Sequence, residues 1–166
     1  MFAGSSSNLL KLNFDDFILR VKVLLLKTRD PYDNFDYILN LQKKYNLESI
    51  YFFLLADYGH NDKNISYNSK KFQSLVKSIF DYNKVGIHPS WGSNTNPDKL
   101  SEEVRRLEEM IHSEVIRSRQ HFLRLDLPFT YRRLIDLGIK EDYSMGFASQ
   151  VGFRAGTSLS FYFYDL

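Results

Sequence analysis

The chain has 166 residues, enough for one domain with a sizeable core; 43% of them are hydrophobic and 16% aromatic. The net charge is only +2, with acids and bases interspersed, which excludes the concentrated basic footprint of a nucleic-acid binder. There is no cysteine, which excludes disulfides and thiolate metal sites.

Residues 1–8 lack the apolar core of a signal peptide, and no run reaches the length of a membrane span. The expectation is a chain without a membrane span, cytoplasmic or associated with the cell envelope. Residues 2–8 are Gly/Ser-rich and read as disordered, residues 1–12 as a disordered or tail segment, and residues 13–166 as a single α/β domain. The aromatic pattern of residues 158–166 stops without a polar tail, so the chain reads as a piece of a longer one.

Asp15 or Asp16 caps a helix running to about Lys27, which Pro31 terminates. Asp33 or Asn34 caps the next, with Phe35, Ile38, Leu39 and Leu41 as its apolar stripe and Asn46 as a left-handed stop. Residues 50–55 are a continuous apolar, aromatic-rich run, the pattern of a parallel strand buried on both faces. A polar loop follows, in which Asp57 and Asp62 read as turn residues. Asn68 or Ser69 opens a helix burying Phe72, Leu75, Val76, Ile79 and Phe80.

Residues 84–88 form the next strand, ending in His88-Pro89, and proline stops further pairing there. After a Ser/Asn/Gly loop, residues 98–111 form a charged helix burying Leu100, Val104, Leu107 and Met110. Residues 114–119 are a third strand, 128–137 a helix stopped by Gly138, and Ile139 with residues 142–144 a short fourth strand. Residues 158–164 form a fifth. Strands alternating with helices imply βαβ units and a parallel sheet.

In such sheets ligands bind at the C-terminal ends of the strands. His88 sits at one such end as a candidate metal ligand or acid/base. His121 follows the neighbouring strand and is its candidate partner. Arg119 offers a forked donor, whereas Arg117 and Arg124 read as surface charge or an ion pair. His60 and His112 read as loop and helix-surface residues. Asp142 is positioned to orient a histidine or act as a base, and also reads as a cap or turn carboxylate. Arg154 lies in a glycine-containing loop with reach toward a ligand. Trp91 and Tyr143 offer rings for stacking on sugars.

Asp30-Pro31-Tyr32-Asp33, Tyr51-Phe52-Phe53-Leu54, Val85-Gly86-Ile87-His88-Pro89-Ser90, Ser118-Arg119-Gln120-His121-Phe122-Leu123, Asp142-Tyr143-Ser144-Met145-Gly146 and Gly152-Phe153-Arg154-Ala155-Gly156-Thr157 occur in this order. Together they resemble the polysaccharide deacetylase (NodB-homology) family, in its divergent Bacteroidetes-type branch, over residues 30–166. The resemblance implies a distorted or incomplete (β/α) barrel. It implies metal-dependent removal of acetyl groups from a carbohydrate, with a divalent ion, usually zinc, held by one aspartate and two histidines.

His88 matches the first histidine of the family's His-Ser/Thr-x-x-His motif. Gly92 stands where the second would be, so the resemblance leaves His121 as its replacement. Arg119 is similar to the arginine of the arginine-proline motif, and Asp142-Tyr143 falls where the family has an aspartate and an aromatic. The acidic Thr-Phe-Asp-Asp motif resembles Asn13-Phe14-Asp15-Asp16, although helix capping accounts for both aspartates; the alternative is a location upstream of Met1. The alternative functional expectation, motivated by Gly92, is a non-catalytic carbohydrate-binding relative. A third is a structural domain of a cell-envelope assembly protein.

Overall fold

The computed structural model describes residues 14–164. The tail expected over residues 1–12, and Asn13 of the acidic motif, lie outside the described residues. The chain divides into two compact units, Met1–Glu48 and Ser49–Leu166.

In the first unit, α1 spans Phe14–Leu24 and α2 spans Phe35–Tyr45. Asp15 and Asp16 lie in the first turn of α1, where carboxylates complement the helix dipole, so they are helical residues and not the end of a strand. Asn34 occupies the cap position of α2 without a side-chain cap bond. At the other end Asn46 takes the left-handed conformation (φ 50°, ψ 50°) and its N–H closes on Gln42 O.

The second unit is α/β. Its strands are β1 (Ile50–Phe53), β2 (Lys84–Ile87), β3 (Arg117–Ser118) and β4 (Glu141–Asp142), all parallel and in the order β1-β2-β3-β4. The crossovers carry α3 (Lys70–Phe80), α4 (Pro97–Ile111) and α5 (Phe129–Asp136). Helices α3 and α4 contact each other and both contact β2, so they cover one face of the sheet. Leu55, Val76, Ile87 and Leu107 are completely buried between these layers. Arg106 on α4 fastens the helix to the end of β1 by donating to Leu55 O at 2.8 Å, and its guanidinium stacks on Tyr67.

The caps are local chemistry. Ser69 Oγ accepts the Phe72 N–H, and Asn96 Oδ1 accepts the Lys99 N–H with Pro97 in the first turn. Gly138 ends the α5 segment at φ +79°, a conformation that favours glycine. Gly86 in β2 has a different reason. A Cβ there would lie 2.7 Å from Arg117 O and 2.7 Å from Phe52 Cε1, so only glycine lets β1, β2 and β3 approach this closely.

The third strand is shorter than its apolar pattern implies, because only Arg117 and Ser118 keep ladder geometry before the chain turns at His121–Leu123. The fifth strand expected over residues 158–164 does not form. Those residues are exposed apart from Phe163, which packs edge-on against Tyr131 with ring centroids 5.0 Å apart. An alternating pattern makes a strand only where a neighbour completes the ladder, and no strand pairs with this segment. No helix of the described residues is long and apolar enough to cross a membrane.

Candidate functional site

Parallel register sets the site. The ladder continues one step beyond the strands: His88 N donates to Phe53 O at 2.9 Å, Arg119 N to Ile87 O at 3.0 Å and Tyr143 N to Ser118 O at 2.9 Å. His88, Arg119 and Tyr143 therefore stand in a row at the C-terminal rim. Beyond the rim, His121 N donates to Pro89 O at 3.2 Å, which draws the loop after β3 over the loop after β2.

This brings the two histidines together. His88 Nε2 lies 2.9 Å from His121 Nδ1, with the rings nearly perpendicular. The outer nitrogens decide what lies between them. His88 Nδ1 is 2.5 Å from Arg119 O, and His121 Nε2 is 3.0 Å from Asn61 O. A carbonyl oxygen only accepts, so both outer nitrogens carry the proton. When both rings are neutral, the inner nitrogens therefore present lone pairs to each other. Two facing lone pairs at this distance repel unless a proton or a metal ion sits between them. An outer N–H anchored to a carbonyl and an inner nitrogen left bare is also the arrangement of metal-ligating histidines. Burial holds His88 below the usual histidine range, reinforced by the neighbouring His121 and by the Arg119 charge, although the bond to Arg119 O and the charge of Asp62 oppose this.

A buried carboxylate supports the pair. Asp62 Oδ1 accepts the Trp91 N–H at 2.9 Å and lies 3.8 Å from His121 Nε2. Its sequence context, a polar loop with Gly59, reads as a turn, and the loop does close locally through Gly59 N to Asp62 O. The side-chain role comes from the loop after β2, 29 residues away, and no local pattern announces it.

Glu103 is the other residue the sequence hides. It is completely buried on α4, and Oε2 accepts the Ser90 N–H at 2.8 Å, which fixes the loop that follows His88. Burial pushes its carboxyl up, with the bonds to Ser90 opposing. One signal was present: position 103 falls inside the stripe of Leu100, Val104 and Leu107, where a charge is out of place.

An aromatic group borders the histidines. Trp91 is 39% exposed; its ring meets Phe122 edge-to-face with centroids 5.4 Å apart and carries the Arg124 guanidinium 4.4 Å above it. Phe122 in turn touches the His121 ring at 4.3 Å. Phe122 takes φ +57°, a left-handed conformation that costs a bulky residue about 1–2 kcal/mol.

The remaining candidates have other partners. Asp142 accepts Ser118 Oγ–H at 2.5 Å, Ser144 Oγ–H at 2.9 Å, the Ser144 N–H at 2.9 Å and the Tyr131 hydroxyl. Its carboxylate thus serves a buried hydroxyl cluster. Arg119 meets His88 through its main-chain oxygen, while its guanidinium donates to Tyr143 O at 2.7 Å. Tyr143 packs on Phe52, and its hydroxyl donates to Glu141 Oε2, which Arg117 also binds. Arg154 donates to Leu123 O at 2.8 Å.

No family model, curated protein or solved structure matches this chain.

The donor chemistry fits a metal in part. His88 Nε2 and His121 Nδ1 are two imidazole donors with anchored outer nitrogens, suited to zinc and other borderline-soft divalent ions. Among the described residues, no group of three or more His, Asp or Glu side chains stands in metal-holding geometry. An ion held here would therefore keep more open positions than the three-protein-ligand pattern of zinc hydrolases.

Proposed function

We propose that this protein is a polysaccharide deacetylase-like hydrolase, holding a divalent ion, zinc by donor type, between His88 and His121 and removing acetyl groups from a glycan. The reading is carried by one observation: two imidazole nitrogens, each on a ring whose outer nitrogen is bonded to a carbonyl oxygen, face each other 2.9 Å apart at the C-terminal rim of a parallel sheet. The sequential strand order is that of a barrel wall, which supports a distorted (β/α) barrel architecture related to the NodB-homology family.

A divalent ion bound at such nitrogens supplies Lewis-acid polarisation of an acetyl carbonyl and lowers the pKa of bound water. The chain's own contribution is placement. Arg119 O and Asn61 O hold the outer ring protons and aim both lone pairs inward. Asp62 Oδ1 lies 3.8 Å from His121 Nε2, and Trp91 with Phe122 offers exposed aromatic surface on which a sugar ring can stack. Arg124, on the face of Trp91, is within reach of sugar hydroxyls or an acidic sugar.

A second reading, a carbohydrate-binding relative without turnover, is favoured by the lack of a third ligating side chain among the described residues. Acetate release separates the two. Zinc-loaded protein incubated with acetylated glycans should release acetate, and His88→Ala or His121→Ala should abolish release. Zinc binding without acetate release would overturn the hydrolase and leave the binding protein.

A further inference from the structure

We infer that Asp142 and Ser144 are positioning residues for His88, acting through the single peptide group that joins Arg119 to Gln120. That peptide is gripped at both ends. Its N–H donates to Ser144 Oγ at 2.8 Å, and its oxygen accepts His88 Nδ1–H at 2.5 Å. Ser144 is completely buried. Because its oxygen accepts from Gln120 N, its own proton goes to Asp142 Oδ2 at 2.9 Å. Asp142 is itself held by Ser118, by the Ser144 N–H and by the Tyr131 hydroxyl. The path therefore runs Asp142, Ser144, peptide 119–120, His88, and every proton along it points toward the carboxylate.

The arrangement does two things. It fixes the plane of the peptide, so Arg119 O stays where it selects the Nδ1–H form of His88 and bares Nε2 toward His121. It also polarises the peptide: a carboxylate-backed acceptor on the N–H strengthens the carbonyl oxygen as an acceptor, since bonds in a chain reinforce one another. The usual support of a ligating histidine is a carboxylate or carbonyl in direct contact. Here the carboxylate acts at one remove, through a serine and a peptide. His121 is not on this path, because its outer nitrogen donates to Asn61 O in the loop after β1.

The experiment is nitrogen-15 NMR of the imidazole rings in the full chain without metal, comparing wild type with Ser144→Ala and Ser144→Thr. In the wild type, His88 is expected in the Nδ1–H form with a strongly downfield ring proton. Ser144→Ala should move that proton upfield and lower the Nδ1–H population of His88, while His121 keeps its Nε2–H form on Asn61 O; Ser144→Thr, which keeps the hydroxyl, should restore the wild-type spectrum. A folded Ser144→Ala protein with an unchanged His88 spectrum, or one in which His121 also leaves its Nε2–H form, would overturn the inference. Should the alanine variant fail to fold, Ser144→Cys decides in the same way, since its weak S–H donor should give a shift in the same direction.

The consequence for metal rests on His88 being a ligand. Ser144→Ala should then weaken zinc binding about tenfold or more. Wild-type protein that binds no zinc, together with the His88-specific shift in Ser144→Ala, would refute the metal reading and leave the positioning path standing.

Discussion

The Asp62 carboxylate accepts the backbone N–H of Trp91 at 2.9 Å, so the loop after β1 is tied to the loop after β2 directly beside the histidine pair. Asp62 is buried, and truncation would leave the Trp91 N–H without its acceptor. Asp62→Ala should destabilise the fold by about 1–3 kcal/mol. Asp62→Asn keeps an acceptor oxygen and should cost less than half as much. Urea unfolding of the two variants checks the order.

Glu103 has a pH signature. Its folded pKa is raised above the ordinary 4.5 by burial, so its contribution to stability is fully present below pH 4.5 and lost as pH rises through the folded value. Glu103→Gln keeps an acceptor for Ser90 N without the buried charge. Its stability relative to wild type should therefore improve as pH rises from 4 to 8. Glu103→Ala should destabilise at every pH by about 2–4 kcal/mol, from the cavity and the orphaned N–H. Chemical denaturation across that range measures both.

Gly86→Ala should destabilise by about 1–3 kcal/mol or more, because the new methyl meets the Arg117 carbonyl oxygen at 2.7 Å and that backbone sits in the neighbouring strand. A melting curve within a few degrees of wild type would show that the strands can part at little cost.

His88 titrates with the opposite consequence. Its folded pKa is lowered from 6.5, chiefly by burial, so the unfolded chain takes up the proton first. Stability should fall as pH drops below about 6.5 and go on falling until the folded pKa is passed. His88→Gln should flatten that part of the profile. Zinc should raise the melting temperature at pH 7.5, and the gain should shrink as acid competes for the imidazoles.

The parts of this site that sequence revealed are those set by strand ends. The apolar run into His88-Pro89 and the arginine-rich run into His121 each mark a strand terminus, and parallel neighbours bring such termini together. Asp62 and Glu103 were missed because their partners are backbone amides of a distant loop, and a main-chain donor leaves no mark in a side-chain pattern. Arg119 was noticed for its guanidinium, yet it meets His88 through its carbonyl oxygen, a group every residue has. Ser118 and Ser144 carry no signal at all until the register of β3 and β4 sets them around Asp142. The fifth strand failed for the converse reason: residues 158–164 have the alternation of a strand and no strand beside them.

The most direct measurement is anomalous diffraction at the zinc edge from crystals of the full chain grown with zinc. One peak is expected about 2.0–2.1 Å from both His88 Nε2 and His121 Nδ1, with the outer nitrogens still on Arg119 O and Asn61 O. A map with no peak at the two facing ring nitrogens would contradict the proposed metal site.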